Sequence, residues 1–537
     1  MAAAPKIPVS RASHQGAFPS NRWIIALVVT LATFMELLDT SIANVSLPHI
    51  AGGLGTSYDE ATWVLTSYLV SNAIVLPMSA WLSRVFGRKR YYMMCVALFT
   101  ATSFLCGLAP TLGILILARV LQGVAGGGLA PVEQAILVDT FPAEERSSAF
   151  GLYSMAIVIA PAIGPPLGGW ITDNYSWRWV FFINIPIGII SLILSSRLVK
   201  DPPAFVEEVR VARRAGRLRI DHIGIGLIAL GLGCLEVVLD RGQRDDWFGS
   251  HSITAFFVVA VTALVLAAWW EWRQRDPVVE LRLLRDRNFA IACAMFFIFG
   301  FLIFGSTALI PEMLQSIYGY DATNAGLVLM PGALVAASLA PIVARLVRKI
   351  SPKALAAFAF ITLAASMWHF ANLNLAASYR VESWARVYQG FALAFLFIPV
   401  SQIAYSYLPA DKNNKASSIM NLFRNLGGDF GISFVTTMLA RREQFHQHVL
   451  VSHLSAADAP VQGMISSLGS YLANQGVSTA DGVKQAYGVM ANVMSQQAAM
   501  LSFLDCFWML GLVAIIGFPL ALMVKRFAVA KAPVGAH

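Results

Sequence analysis

The chain has 537 residues, of which 57% are hydrophobic and only 13% charged, a balance far from that of a soluble domain. Its formal charge of +9 is spread through short polar turns and is not gathered on one soluble face, which argues against nucleic-acid binding. This composition points to a protein that crosses a membrane many times.

A hydrocarbon core about 30 Å thick needs roughly 20 apolar residues per helix. Runs of that kind predict fourteen helices, over 23–47, 60–82, 91–109, 112–138, 147–171, 178–197, 220–240, 252–272, 288–312, 324–345, 354–372, 383–408, 416–440 and 499–524. They are too long and too continuously apolar for the alternation of a membrane barrel. Residues 1–22 read as a polar tail. The run that follows is too long for a signal-peptide core and lacks a small-residue cleavage site. An even number of spans puts both termini on one side, and most of the 39 Lys and Arg fall in loops of that side, so both termini are expected in the cytoplasm.

The first span contains "MELLDTSIANVSLPHI", residues 35–50, with two carboxylates, Glu36 and Asp39, in an otherwise lipid-soluble helix. Counting from the outer ends of spans 1 and 4 at about 1.5 Å per residue sets Asp39 and Arg119 at similar depth, where opposite charges can neutralise one another. Glu36 lies three residues from Asp39, on much the same face and one turn deeper. Carboxyls so placed can bind and release a proton. The alternatives are structural: hydrogen bonds from Asn44, Thr40 or another helix to the acids, and an Arg119 ion pair that locks two helices.

The chain also repeats itself. "RVLQGVAGGGLAPVEQA" at 119–135 is echoed by "RVYQGFALAFLFIPVSQIA" at 386–404, and two further pairs of segments share offsets of roughly 264 to 270 residues. The expected organisation is an all-α membrane fold with a tail at 1–22, six-helix units at 23–200 and 285–537, and a linker at 201–284 that carries two extra helices. In parallel six-span repeats the substrate site lies at the interface of the halves. Asn44, Trp63, Gln122, Gln134, Arg386 and Gln389 are the residues expected to line it. Arg386 lacks an acid at the position that repeats Asp39 and so suggests a structural role. "FRNLGGDFGIS" at 423–433 offers a possible second charged site, Arg424 with Asp429, read either as a titrating group or as an internal ion pair.

The outer loop 441–498 is long enough to be functional, either as the contact for a partner or as a lid. Its "QFHQHVLVSHL" groups His446, His448 and His453 without the acids or cysteines that would complete a metal set. No GxxxxGK[ST] phosphate loop and no HExxH occurs in the chain, so ATP-driven pumping and zinc hydrolysis have no motif.

"LLDTSIANVSLP", "LILARVLQGVAGGG", "APAIGPPLGGWI", "WRWVFFINIPIG" and "CLEVVLDRGQRDDWFGS" together resemble the motifs of the major facilitator superfamily, in its fourteen-span drug:proton antiporter branch, the EmrB/QacA group. The resemblance covers nearly the whole chain. It implies a proton-driven multidrug exporter of the bacterial inner membrane that needs no cofactor beyond the proton gradient and is not an enzyme. It also implies handover to a periplasmic EmrA-like adaptor and an outer-membrane TolC-like channel. Asp39 would couple the proton, with Arg119 as an element of proton transfer. Glu36 is a departure, since relatives commonly carry an uncharged polar residue there. Gly164, Pro165, Gly168 and Gly169 belong to the antiporter motif of span 5, where glycines allow close helix approach and prolines bend the helix. In "AWLSRVFGRKRYY", Gly87, Arg88 and Lys89 match the gating loop, but Ala80 and Arg84 replace its usual Gly and Asp. A latch would then need Asp139 or Glu145 as its acid. The alternatives within the same fold are a stand-alone exporter of fatty acids or of a secreted metabolite, and a non-transporting sensor.

Overall fold

The structure, a computed structural model, describes residues 21–142, 144–214, 221–274, 277–406, 408, 412–452 and 458–525. Every regular element among them is helical. In chain order these are α1 (Arg22–Val45), α2 (Leu47–Leu54), α3 (Tyr58–Ala61), α4 (Trp63–Phe86), α5 (Arg88–Leu108), α6 (Leu112–Gly126), α7 (Leu129–Thr140), α8 (Arg146–Asn174), α9 (Trp179–Phe182) and α10 (Asn184–Leu198). The linker holds α11 (Pro203–Arg214), α12 (His222–Arg241) and α13 (His251–Arg273). The remainder comprises α14 (Arg287–Ser316), α15 (Ala322–Leu346), α16 (Pro352–Phe370), α17 (Tyr379–Ala394), α18 (Phe397–Tyr405), α19 (Asn413–Ser452), α20 (Ala459–Asn474) and α21 (Thr479–Met523).

Thirteen helical segments among the described residues are long and apolar enough to cross a membrane. The 40-residue α19 is long enough but too polar to qualify by composition, because Arg424, Asp429 and several Asn lie along it. Its packing against α14, α21 and α4 nonetheless places it within the bundle. The result is two six-helix halves and two inserted helices. In the first half α1 packs on α8 and α10, and α6 on α4 and α5; in the second, α14 packs on α19, α15 on α17 and α16 on α21. The inserted α12 and α13 pair with each other, and α12 lies against α4.

Three expected elements differ. Span 4 is two helices, α6 and α7, broken at Gly127–Gly128. A Cβ on Gly127 would lie 2.6 Å from the Asn72 carbonyl of α4, so the backbone here is shaped by close approach. Span 12 breaks at the corresponding place, between α17 and α18. The outer loop 441–498 is largely helical, since α19 runs on to Ser452, α21 begins at Thr479, and α20 packs on α21 through Val461, Ile465 and Ala486. Arg442 and His446 of α19 brace this hairpin against Asp505 of α21, at 2.6 and 2.7 Å. That contact gives His446 a carboxylate partner in place of the metal set its sequence neighbours hinted at; His453 lies outside the described residues.

α8 and α15 pack on each other across the interface of the halves, and the side-chain hydrogen bonds between the halves cluster toward the end of the bundle that carries Arg22, Arg88 and Arg348, called here the basic end. There Ser418 Oγ donates to the Leu76 and Pro77 carbonyls at 2.9 and 3.0 Å, Ser417 to the Pro131 carbonyl at 2.8 Å, and Ser147 to the Ala344 carbonyl at 3.0 Å. Asn414 bonds Ser83. Gln134 and Asn421 exchange amide hydrogen bonds at 3.3 and 3.0 Å. The innermost link is Arg424 Nη1 donating to Tyr153 Oη at 3.2 Å.

Candidate functional site

Asp39 sits in the last turns of α1, only 1% exposed. A buried carboxylate needs donors, and a charged donor in particular. Arg119 Nη1 of α6 donates to Asp39 Oδ2 at 2.6 Å. The other oxygen accepts from Gln122 at 3.2 Å and from Asn184 of α10 at 2.7 Å. Arg119 is itself fully buried and donates from Nε to the Val64 carbonyl at 3.0 Å, and from Nη1 to Gln122 at 2.8 Å. Its guanidinium lies 4.4 Å over the ring of Tyr68, an attraction to the negative π face. Four helices thus converge on one ion pair.

Glu36 is near Asp39 in sequence but has different partners. Its Oε1 accepts from Asn72 at 3.0 Å and from the Tyr68 hydroxyl at 3.3 Å. Tyr68 therefore links the two groups, its ring against Arg119, the partner of Asp39, and its hydroxyl on Glu36.

The residues expected to line a substrate cavity fall into three groups. Asn44 and Trp63 are exposed, and Arg241 of α12 covers the Trp63 ring at 4.8 Å. Gln122 is a ligand of the Asp39–Arg119 pair, and Gln134 belongs to the amide bridge between the halves. Both are buried, and each amide is bonded to an internal partner. Arg386 and Gln389 are likewise buried and bonded to each other, and Gln389 Nε2 donates to Ser306 at 2.7 Å.

Of the two readings of Arg424 and Asp429, the ion pair between them does not form. Five residues turn a helix through about 500°, which leaves the two on different faces. Arg424 turns to Tyr153 and to Asn425 Oδ1. Asp429 turns to the inserted helix, where its carboxyl neighbours that of Glu236. One turn on, Asp240 accepts from Thr66 of α4.

At the basic end Gly87 takes φ +90°, a left-handed backbone that suits glycine. Arg88 pairs with Asp139 and lies 4.3 Å over the Phe205 ring of α11. Of the two acids considered for this position, Asp139 takes Arg88, while Glu145 takes Arg22 at 2.9 Å. Lys89 is turned aside: its backbone N–H donates to Asp201 at 2.8 Å and its Nζ to the Ser196 carbonyl at 2.6 Å. In α8, a Cβ on Gly164 would come within 2.2 Å of Ser41 Oγ, and one on Gly168 within 3.1 Å of Ile42 Cγ2. The glycines therefore set the approach of α8 to α1. Pro165, Pro166 and Gly169 continue the same helix without ending it, and Pro166 lies 2.2 Å from where a Cβ on Gly326 of α15 would be.

Asn184, Tyr68, Asn72, Glu133 and Glu236 were not anticipated. A scan of every predicted span for single acids and amides would have raised all but Tyr68, since polar side chains in spans are rare and functional by default.

A two-fold bundle with a buried ion pair in one half and inserted helices beside it defines a polytopic membrane carrier fold. Residues 29–432 match the family model of the Major Facilitator Superfamily, and the chain belongs to that family. It is 37% identical over 487 residues to the Multidrug export protein EmrB of Escherichia coli (strain K12), covering 90% of this chain and 92% of the relative. It is 34% identical over 502 residues to the Fatty acid resistance protein FarB of Neisseria gonorrhoeae, covering 93% and 96%. Among solved structures, a double Trp mutant of XylE aligns with TM-score 0.62 at 14% identity, covering 94% of this chain and 96% of that one. The human organic anion transporter MFSD10 aligns with TM-score 0.61 at 12% identity, covering 94% and 100%. At those identities the likeness is one of fold.

Proposed function

We propose that the protein is a proton-driven exporter of lipophilic drugs in the bacterial inner membrane, with Asp39 as the proton-coupling residue. The observation that carries this is the Asp39–Arg119 contact of 2.6 Å in a fully buried setting. A proton arriving at Asp39 cancels the charge that holds Arg119, and the four-helix junction loses its strongest link. Loss of the proton restores it. Such a junction has two electrostatic states and can bias the halves toward one or the other arrangement. The basic end, which the positive-inside rule assigns to the cytoplasm with both termini, is the end where the side-chain hydrogen bonds between the halves gather, which supports a carrier shut on that side. Arg88 with Asp139 would act as the latch.

Similarity to EmrB over nine-tenths of the chain supports drugs as substrates, and supports assembly with an EmrA-like adaptor and a TolC-like channel. The helical hairpin of α19, α20 and α21 would present the adaptor contact. Long-chain fatty acids form the second substrate class, favoured by the match to a fatty acid resistance protein over 96% of its length. The deciding experiment is drug-driven proton release in proteoliposomes with the parent, Asp39→Asn, Glu36→Gln and the double variant. Release by the parent and its loss in Asp39→Asn with drug binding retained support the reading. Undiminished release in the double variant refutes it and moves attention to Asp429.

A further inference from the structure

The corner between α4 and α5 carries Arg84, Arg88, Lys89 and Arg90, and residues 80–92 include no acid to balance them. The carboxylates that reach this corner come from elsewhere in the chain: Asp139 to the Arg88 guanidinium, and Asp201 to the backbone N–H of Lys89 at 2.8 Å. α5 opens on Gly87 and has no side-chain cap from that residue. The first amides of a helix need outside acceptors and favour a negative charge, so Asp201, at the start of the linker, takes the part of a capping residue. A Cβ on Gly87 would lie 3.5 Å from Asp201 Oδ2, which sets the carboxylate close beside the turn.

Four residues on, α11 adds a second contact. Phe205 is 8% exposed, and its ring covers the Arg88 guanidinium at 4.3 Å while Asp139 pairs with Nη1. Arg88 is thereby held by a carboxylate of α7 and a π face of the linker, and it is buried. Both attractions are poorly screened in such a setting. The same corner is where the first half reaches the second: Asn414, at the start of α19, donates to the Ala80 carbonyl at 3.3 Å and bonds Ser83. What fixes the corner also fixes that bridge.

We propose that Asp201 and Phe205 are positioning residues of the inner gate, through which the linker that carries the inserted helices clamps the α4–α5 corner and the Arg88–Asp139 latch. This rests on the exporter reading, in which the basic end closes toward the cytoplasm. Phe205 acts through the charge of Arg88, and Asp201 through the first turn of α5.

The test uses the full-length protein in nanodiscs with spin labels at Arg197→Cys and Lys349→Cys, exposed positions on either half at the basic end, in a Cys234→Ser background, the other four cysteines being buried. Pulsed dipolar spectroscopy should show mainly the short distance in the parent. Phe205→Leu and Asp201→Asn should raise the long-distance share about threefold to tenfold, the weight of one partly buried cation–π contact or one helix cap, and should slow drug-driven proton release in proteoliposomes. Phe205→Trp keeps a π face and should behave as the parent. In an Arg88→Gln background Phe205→Leu should add nothing, because the ring has lost its cation. Equal distance distributions in the parent, Phe205→Leu and Asp201→Asn, a parent already open at this end, or the same effect of Phe205→Leu with and without Arg88 would overturn the proposal. If Asp201→Asn does not insert, the Phe205 series decides. The distances are read without substrate and so stand apart from the exporter reading, which fails if the parent moves no drug under a proton gradient.

Discussion

Ser306 stands in the second half where Asp39 stands in the first. The three members of each cluster are offset by the same 267 residues: Asp39 to Ser306, Arg119 to Arg386, Gln122 to Gln389. Both arginines donate from Nη1 to the glutamine three residues on, and each glutamine amide returns to the first helix of its half, at Asp39 or at Ser306. The scaffold is two-fold, and its acid is present once. The second half thus shows which framework remains when the acid is replaced by a hydroxyl.

Asp39→Ser should accordingly fold, insert and lose coupled transport. Asp39→Ala leaves Arg119, Gln122 and Asn184 without their acceptor and should cost about 3–5 kcal/mol, the usual penalty for breaking a buried ion pair. Thermal unfolding in detergent, read beside proton release, separates the two variants. Equal destabilisation by Ser and Ala would contradict the comparison between halves.

Charge reversal at Arg88 should impair transport without preventing insertion, because it sets two acids together at Asp139 while leaving the apolar spans unchanged. The exchange Arg88→Asp with Asp139→Arg should recover part of the activity. Drug accumulation in cells, with protein level measured in parallel, checks this; loss of folded protein in the single variant would remove the gating role.

Gly164→Val should destabilise by about 1–3 kcal/mol, as overpacked cores do, because the added side chain meets Ser41 Oγ and Cβ at 2.2 and 2.5 Å. Gly164→Ala combined with Ser41→Gly should recover most of the loss, since both close atoms belong to the Ser41 side chain. A melting series of the single and double variants gives the answer.

Glu280 joins the linker to the start of α19 through Lys415 and through Lys412 at 2.9 Å. Burial opposes its charge, but the hydrogen bonds and charges of Lys415 and then Lys412 outweigh that, and the carboxyl is held below its ordinary range. The stabilisation is therefore present above the ordinary carboxyl value and is lost as pH falls through the lowered one. Melting temperatures measured from about pH 7 to about pH 3 should fall more steeply in the parent than in Glu280→Gln. Parallel curves would show that the lysines contribute nothing.

The spans were legible because a bilayer imposes a length, and that length appears as apolar runs. α19 was legible as the run at 416–440, although its composition as a whole helix is too polar to qualify as a crossing. The breaks at Gly127–Gly128 and between α17 and α18 were hidden, since they are set by the approach of other helices and leave the apolar run uninterrupted. The meeting of Asp39 with Arg119 could be anticipated from depth along two helices. Azimuth is harder to read: Glu36 and Asp39 lie three residues apart yet have separate partners, and of the two readings of Arg424 and Asp429 the ion pair fails because five residues of helix turn them apart. Glu133 lies within "APVEQA", where Pro and Gln mark the repeat and nothing in the local pattern sets the acid apart.

The 45 residues of α21 form one continuous helix from Thr479 to Met523, roughly 65 Å long at about 1.5 Å per residue. A bilayer core of about 30 Å accounts for less than half of that length. The rest, stiffened by α20 and by the brace at Asp505, is a lever rooted in the bundle. A tilt of about 10° at its base would move the free end by about 6 Å, so rocking of the second half within the membrane is delivered, enlarged, to whatever stands beyond it.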